Sequence, residues 1–181
     1  MKDQNPGKNV RVFLMDEARF GQQGTLTRVW ASIGSRPTMV KQTQYEWVYL
    51  YGAVDPCTGD SSALLTRHVN TPSMSEFLKI LSAEVGPNDH VVLVLDNAGW
   101  HVCKKLVWPP NITPLWLPPY SPELNSIERL WAYIKSHYLS NRVYAGYDEL
   151  LAAGSDAYRA LTPEIIKSVC ATSWITPGIQ L

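Results

Sequence analysis

The spacing of apolar residues predicts strands in the first part of the chain. Short apolar or alternating runs at 10–15, 28–33, 47–54 and 62–67 are typical of strands, and glycine- or proline-containing turns separate them. The aromatic and β-branched run 47–54 and the run 62–67 are joined by turn-forming residues, so we expect a hairpin there. This part of the chain is therefore predicted to be mostly antiparallel β-structure.

The later part alternates between helical and strand patterns. Thr71 followed by Pro72 predicts a capped helix start, and apolar residues recur at helical spacing until Gly86 and Pro87. The near-continuous apolar run 90–95 is typical of a strand buried on both faces. The remaining predicted elements are a short helix through 97–106, a strand at 112–117, a helix at 126–139, a helix after Asp148 and a helix from Thr162-Pro163.

Together these elements predict one α/β domain over residues 1–181, with a mixed sheet of about five strands flanked by helices. Hydrophobic residues make up 45% of the chain and charged residues 18%, as in an ordinary globular protein. We expect neither a membrane span nor a signal peptide. The three cysteines, Cys57, Cys103 and Cys170, have no zinc-binding spacing, and we expect reduced thiols in a cytoplasmic protein.

Charge is balanced overall, with 16 basic and 16 acidic residues, but it is unevenly distributed. Basic residues without acidic neighbours occur at 28–41, at 104–105 and at 135–142. Such patches can contact phosphates even when the net charge is zero, although they can equally be solvated surface. The candidate phosphate contacts are Arg28, Arg36, Lys104 and Lys135.

Three carboxylates stand where predicted elements begin or end. Asp16 and Asp96 each follow an apolar strand, and Glu128 begins a helix after the proline-rich stretch 117–122. If the two strands are parallel neighbours, both aspartates lie at the carboxyl edge of the sheet. Oxygen ligands suit Mg²⁺ or Mn²⁺, and two such ions can assist phosphoryl transfer.

Each of these residues also has a purely structural explanation. Asp16 and Asp96 could be turn residues, and Glu128 could pair with Asn125 as a helix cap. Glu17 could replace Asp16 as a ligand, but strand alternation places it on the opposite face. The candidate supporting groups are Asn97 and His101. For His101, a hydrogen-bonded structural role is an alternative to general-base catalysis, and we expect Trp30, Trp100 and Trp131 in the core.

Three blocks resemble the catalytic domain of IS630/Tc1/mariner transposases, most closely the bacterial IS630 group. They are residues 13–20, 94–101 and 117–131, and a weaker block covers 28–37. The resemblance implies an RNase H-like fold, with the DDE triad on Asp16, Asp96 and Glu128. It also implies metal-dependent DNA cleavage and strand transfer at transposon ends, by cut-and-paste. The 31 residues between Asp96 and Glu128 are slightly fewer than in better-known members.

The implied partners are double-stranded DNA, as terminal inverted repeats and target, and a second copy of the chain in a homodimer. Such transposases carry N-terminal helix-turn-helix domains, whereas here Asp16 follows almost at once. We therefore expect a truncated form, a second reading frame fused to an upstream one, or a decayed remnant. The alternatives in function are another RNase H-like nuclease and a catalytically silent interaction protein.

Overall fold

A five-stranded mixed sheet organises the computed structural model, which describes residues 7–24 and 26–172. The strand order is β3-β2-β1-β4-β5. β1 pairs antiparallel with β2 and parallel with β4, β2 pairs antiparallel with β3, and β4 pairs parallel with β5. The strands are β1 Asn9–Gly21, β2 Trp47–Val54, β3 Ser61–Thr66, β4 Asp89–Leu95 and β5 Ile112–Trp116.

Four α-helices cover the two faces of this sheet. They are α1 Thr71–Glu84, α2 Ile127–Ile134, α3 Tyr147–Arg159 and α4 Pro163–Cys170. Side chains alternate along β1, so Phe13 and Met15 pack in the cluster that contains α1. Leu14 and Ala18 pack in the other cluster, with residues of α2, α3 and α4. The predicted mixed sheet flanked by helices is confirmed.

Side-chain caps fix the starts of two helices. The Asn70 side chain accepts a hydrogen bond from the Ser73 backbone N–H at 2.9 Å, so α1 is capped one residue earlier than the predicted Thr71. Thr162 caps α4 as predicted, accepting from the Ile165 N–H at 3.3 Å. Proline stands in the first turn of both helices, where its missing N–H costs nothing.

Four predicted elements are wrong in extent or kind, and one of them is β1, which continues past the predicted run 10–15 to Gly21. The run 28–33 is not a strand but part of an irregular segment, 26–46, in which Trp30 and Ile33 are exposed. This run is not among the five paired strands of the described sheet. Residues 97–106 form turns rather than a helix, because the Asp96 carboxylate accepts from the Ala98 N–H and turns the chain.

The predicted helix at 126–139 is also divided. α2 ends at Ile134, and Lys135–Leu139 continue as a π-helical turn. Ile127, Leu130, Trp131 and Ile134 are buried, so the predicted apolar stripe is confirmed. Within the described residues, no helix combines the length and the apolar character that crossing a membrane requires.

Candidate active site

The parallel pairing of β1 with β4 brings Asp16 and Asp96 to neighbouring positions. Leu14 of β1 is in register with Val94 of β4, and each aspartate follows two residues later. The prediction that Asp16 ends a strand is wrong, because β1 continues to Gly21 by pairing with β2. Asp96 directly follows β4, and its side chain is 59% exposed. The two carboxylates therefore occupy the edge at which β4 ends.

The proline-rich loop is fastened to the sheet beside Asp16. The Asn125 amide donates to the Met15 carbonyl at 2.9 Å, and the Ser126 hydroxyl donates to the Cys170 carbonyl at 2.8 Å. Asn125 therefore does not cap α2, contrary to its predicted role; its side chain is directed to β1. This anchoring sets the position of α2, which carries Glu128 in its first turn.

One cleft of about 420 Å³, which we call the carboxylate cleft, contains all three predicted carboxylates. It is lined by Asp16, Asp96, Asn97, Ala98, Leu117, Pro118, Pro119, Tyr120, Ser121, Pro122, Asn125 and Glu128. In the part of the chain that the structure describes, no group of three His, Cys, Asp or Glu side chains is arranged to hold a metal ion by itself. Magnesium commonly uses only one or two protein carboxylates and completes its shell with water and phosphate.

The surroundings of Asp16 raise the pKa of its carboxyl group. Burial, together with the negative charges of Glu128 and Glu17, raises the pKa of Asp16 to about 7. Each cause disfavours the ionised form, since an uncompensated carboxylate is costly away from water and beside like charges. The Trp131 indole N–H opposes them by donating to Asp16 Oδ2 at 2.9 Å. A cation in the cleft would instead favour the ionised form of Asp16.

Gly52 makes room for the Trp131 side chain that supports Asp16. Gly52 lies directly opposite Asp16 in the β1–β2 ladder. A β-carbon at Gly52 would lie 2.5 Å from Cη2 of Trp131, so any side chain there would displace the indole. Trp131 was predicted only as a core residue, and its hydrogen bond to Asp16 was missed. Its position three residues after Glu128 on the same helix was the available signal.

We expect Gly52→Ala to destabilise the protein by about 1–3 kcal/mol, because it overpacks a filled site. Thermal unfolding followed by circular dichroism measures this, and tryptophan fluorescence reports the indole's displacement. Gly99→Ala is the matched control, because a β-carbon there meets no atom within 4 Å. Equal melting temperatures for the two variants would show that Trp131 does not depend on the glycine.

A buried histidine links Asp96 to Glu17. His101 is 1% exposed, its Nδ1 lies 2.8 Å from Asp96 Oδ1, and its Nε2 lies 2.8 Å from Glu17 Oε1. Burial favours the neutral ring, but the two carboxylates outweigh it and raise the pKa of His101. The Trp100 indole N–H also donates to Glu17 Oε1, at 3.0 Å. The Asp96 carboxylate is thus positioned by His101, which is itself held by Glu17.

Glu17 and Asp16 point to opposite faces of β1, as strand alternation predicted, but the contact of Glu17 with His101 was missed. The two residues are 84 positions apart, so no local spacing indicates their contact. The predicted supporting residue Asn97 lines the carboxylate cleft. Its amide donates to the Leu117 carbonyl at 2.8 Å and so joins the end of β4 to the start of the proline-rich loop.

The four predicted phosphate contacts lie away from the carboxylate cleft. Arg28 and Arg36 are exposed in the irregular segment, and Lys104 is exposed in the turns after β4. Lys135 is half-buried, with Nζ 6.0 Å from the centre of the Phe20 ring. None of the four contributes to the lining of the carboxylate cleft.

Comparison with known proteins identifies the family to which the chain belongs. Residues 11–151 match the family described as DDE superfamily endonuclease. An uncharacterised protein of Sinorhizobium fredii, y4pE/y4sA, is 39% identical over 130 residues, covering 71% of this chain and 96% of the relative. An uncharacterised 39 kDa protein of insertion element IS630 from Shigella sonnei is 28% identical over 124 residues, covering 66% of this chain and 36% of that protein.

Solved structures with the same fold include the Mos1 mariner paired end complex with Mn, at a TM-score of 0.65 and 17% identity. A Mos1 strand transfer complex matches at a TM-score of 0.63 and 18% identity. Both cover 88% of this chain, which spans only about half of the matched Mos1 chains: 51% and 50%. The predicted RNase H-like fold is confirmed, as is the predicted resemblance to IS630/Tc1/mariner transposases. The chain belongs to the DDE superfamily endonucleases.

Proposed function

We propose that this chain is the catalytic domain of a transposase that cleaves DNA and joins strands at transposon ends by cut-and-paste. The observation that carries the proposal is the meeting of Asp16, Asp96 and Glu128 in one cleft. In this proposal the three carboxylates hold Mg²⁺ or Mn²⁺, as two ions. Mos1 structures described as complexes with Mn and with Mg support the choice of a divalent cation.

The groups around the cleft suit a hydrated cation. All three charged donors are carboxylate oxygens, the ligands that hard divalent ions prefer. The buried Oδ1 of Asn125, which also lines the cleft, has no hydrogen-bond partner among the described residues and could accept from a metal-bound water. When bound, such ions supply charge neutralisation at the phosphate and a lowered pKa for a water ligand.

The chain's own residues would orient the reacting groups. Asp16 is held by the Trp131 indole, and Asp96 by the Ala98 N–H at 3.0 Å and by His101. Glu128 is exposed on α2, whose start is fixed by the anchored loop. Electrostatic stabilisation by such preset groups is the main contribution a protein makes to phosphoryl transfer.

We propose the same partners for the whole protein as the resemblance implies. These are the terminal inverted repeats and target DNA, bound by a homodimer whose helix-turn-helix domains read the repeats. A Mos1 transposase structure of the same fold is a paired-end complex with the left transposon end, which supports this choice. The chain covers only 36% of the IS630 relative, so the activities and partners of the whole protein are part of this proposal.

Reaction products test the proposal. A labelled duplex that ends in the repeats flanking the gene is incubated with Mn²⁺, a supercoiled target and the full protein, including any upstream frame. Strands joined to the target are the expected result. Nicks without joined strands would indicate a nuclease instead. Absence of both products, together with absence of Mn²⁺ binding, would indicate a silent interaction protein.

His101→Ala should weaken Mn²⁺ binding and DNA cleavage by about 10–100-fold, as loss of a group that orients a metal ligand commonly does. The physical reason is that Asp96, an exposed side chain, loses its contact with the His101 ring. Calorimetric titration and a plasmid-nicking assay measure the two effects. His137→Ala, at an exposed histidine on the π-helical turn, is the control. If both variants matched the unmodified protein, His101 would have no positioning role.

A further inference from the structure

A second cleft, which we call the basic cleft, opens from the same two aspartates. It has a volume of about 580 Å³ and shares Asp16, Asp96 and Ala98 with the carboxylate cleft. Arg19 and Arg67 are also part of its wall. Arg19 belongs to the block 13–20 that carries the family resemblance, yet the proposed metal site does not use it. The cleft is therefore a neighbour of the proposed reaction centre with chemistry of its own.

The sheet itself creates this cleft. Arg19 of β1 is paired with Tyr49 of β2, and Tyr49 is paired with Thr66, the residue before Arg67. Along β1, Met15 is buried in the cluster that contains α1, whereas Arg19, four residues later on the same face, is exposed. The sheet thus extends beyond its helical cover and presents Arg19 and Tyr49, and Arg67, which directly follows β3, joins them in the wall of the cleft.

Aromatic rings, not carboxylates, hold the two guanidinium groups. Arg19 lies 4.2 Å from the centre of the Trp47 ring, and Arg67 lies 3.8 Å from that of Tyr147. Neither arginine forms an ion pair with any carboxylate of residues 7–24 and 26–172. Both groups are fixed in place with their hydrogen-bonding capacity available to an anion, and Arg recognises phosphate in a bidentate manner.

Charge differs sharply between the two clefts. No lysine or arginine is present among the described residues that line the carboxylate cleft. In the basic cleft, the carboxylate of Glu17 is already engaged by Trp100 and His101, at 3.0 and 2.8 Å. Of these two clefts, it is therefore the basic cleft that offers arginines to a polyanion whose reacting phosphate lies between Asp16 and Asp96.

We propose that the basic cleft binds the single DNA strand that leads away from the reacting phosphate, with Arg19 and Arg67 contacting its phosphates and Tyr49 stacking on a base. This inference rests on the proposed function, because it takes the reacting phosphate to lie at Asp16 and Asp96. Base stacking on an aromatic side chain tolerates any sequence, as a strand exposed at a cleavage site requires. The four basic residues predicted from the sequence are not part of this site.

Fluorescence anisotropy with a labelled single-stranded oligonucleotide, in Ca²⁺ to prevent cleavage, tests the inference. We expect Arg19→Gln and Arg67→Gln each to weaken binding about tenfold, as the loss of one charged hydrogen-bonding contact does. Each should also lower the slope of log affinity against log salt by about 0.7, the value for one phosphate contact on a single strand. The control is Arg159→Gln, an exposed arginine at the end of α3.

Two further measurements separate the possible failures. Arg19→Lys and Arg67→Lys keep the charge and should recover most of the salt slope, which distinguishes phosphate contact from misfolding. Mn²⁺ titration of the Gln variants should match the unmodified protein, because neither arginine is a proposed ligand. Affinity and salt slope equal to those of Arg159→Gln would overturn the basic cleft while leaving the proposed metal site standing. If the unmodified protein did not bind Mn²⁺ while its DNA binding depended on the two arginines as expected, the proposed function would be overturned instead.

Discussion

Glu128→Gln should lower the rate of Mn²⁺-dependent DNA nicking by about 10³-fold. The substitution preserves shape but removes one anionic donor, and the transition-state stabilisation supplied by a well-held cation is worth several kcal/mol. Glu128 is exposed, so the variant should fold normally. Conversion of supercoiled plasmid to the nicked form measures the rate.

Glu123→Gln is the matched control for this variant. Glu123 is an exposed carboxylate in the same loop, on the 3₁₀ turn Pro122–Leu124, and it does not line the carboxylate cleft. Its removal should leave the nicking rate within about twofold of the original, since surface substitutions of this kind change little. Equal rates for the two variants would exclude Glu128 from the metal site.

Asp16→Asn should stabilise the metal-free protein at pH 7 by about 2–4 kcal/mol. The folded-state pKa of Asp16 is about 7, and its ordinary value is 3.8, so the native protein binds this proton more tightly than the unfolded chain does. Ionising Asp16 therefore costs stability. Asparagine avoids that cost, and its side-chain oxygen can still accept from the Trp131 indole.

The pH dependence follows from the same shift. Because the folded pKa is raised, the stability of the metal-free protein contains a contribution that is complete below about pH 4 and is lost as pH rises towards 7. Asp16→Asn should remove that loss, so its advantage disappears near pH 4. Urea unfolding at several pH values in a chelator measures the difference. Asp156→Asn, at an exposed carboxylate of α3, should show no such trend. The same pH dependence of the unfolding free energy in all three proteins would contradict a pKa of Asp16 raised by burial and by neighbouring negative charges.

Local patterns were sufficient to predict most of the scaffold and the convergence of the three carboxylates. The near-continuous apolar run at 90–95 predicted the buried strand β4, and the parallel pairing of β1 with β4 then brings Asp16 beside Asp96. The prolines and the apolar stripe of α2 predicted that Glu128 lies at the start of a helix. These features depend on short-range sterics and on periodicity, which a single sequence displays directly.

The errors arose where a distant partner decides the structure. β1 continues past Asp16 because β2 offers it a hydrogen-bonding edge, and the alternation of Glu17 and Arg19 with Ala18 and Phe20 was the overlooked signal. The apolar run 28–33 has strand propensity but pairs with none of the five strands of the described sheet. The contact between Glu17 and His101 joins residues far apart in sequence, so only the folded sheet brings them together.

A calorimetric titration of Mn²⁺ into the full chain and into its Asp96→Ala variant tests the central claim most directly. Asp96 is largely exposed, so its removal should leave the fold intact while removing one proposed metal ligand. We predict a clear binding heat for the unmodified protein and a strongly reduced one for the variant, with Asp156→Ala behaving like the unmodified protein. Equal, negligible heats in the unmodified protein and the Asp96→Ala variant would contradict the assignment of Asp16, Asp96 and Glu128 as a divalent-metal centre.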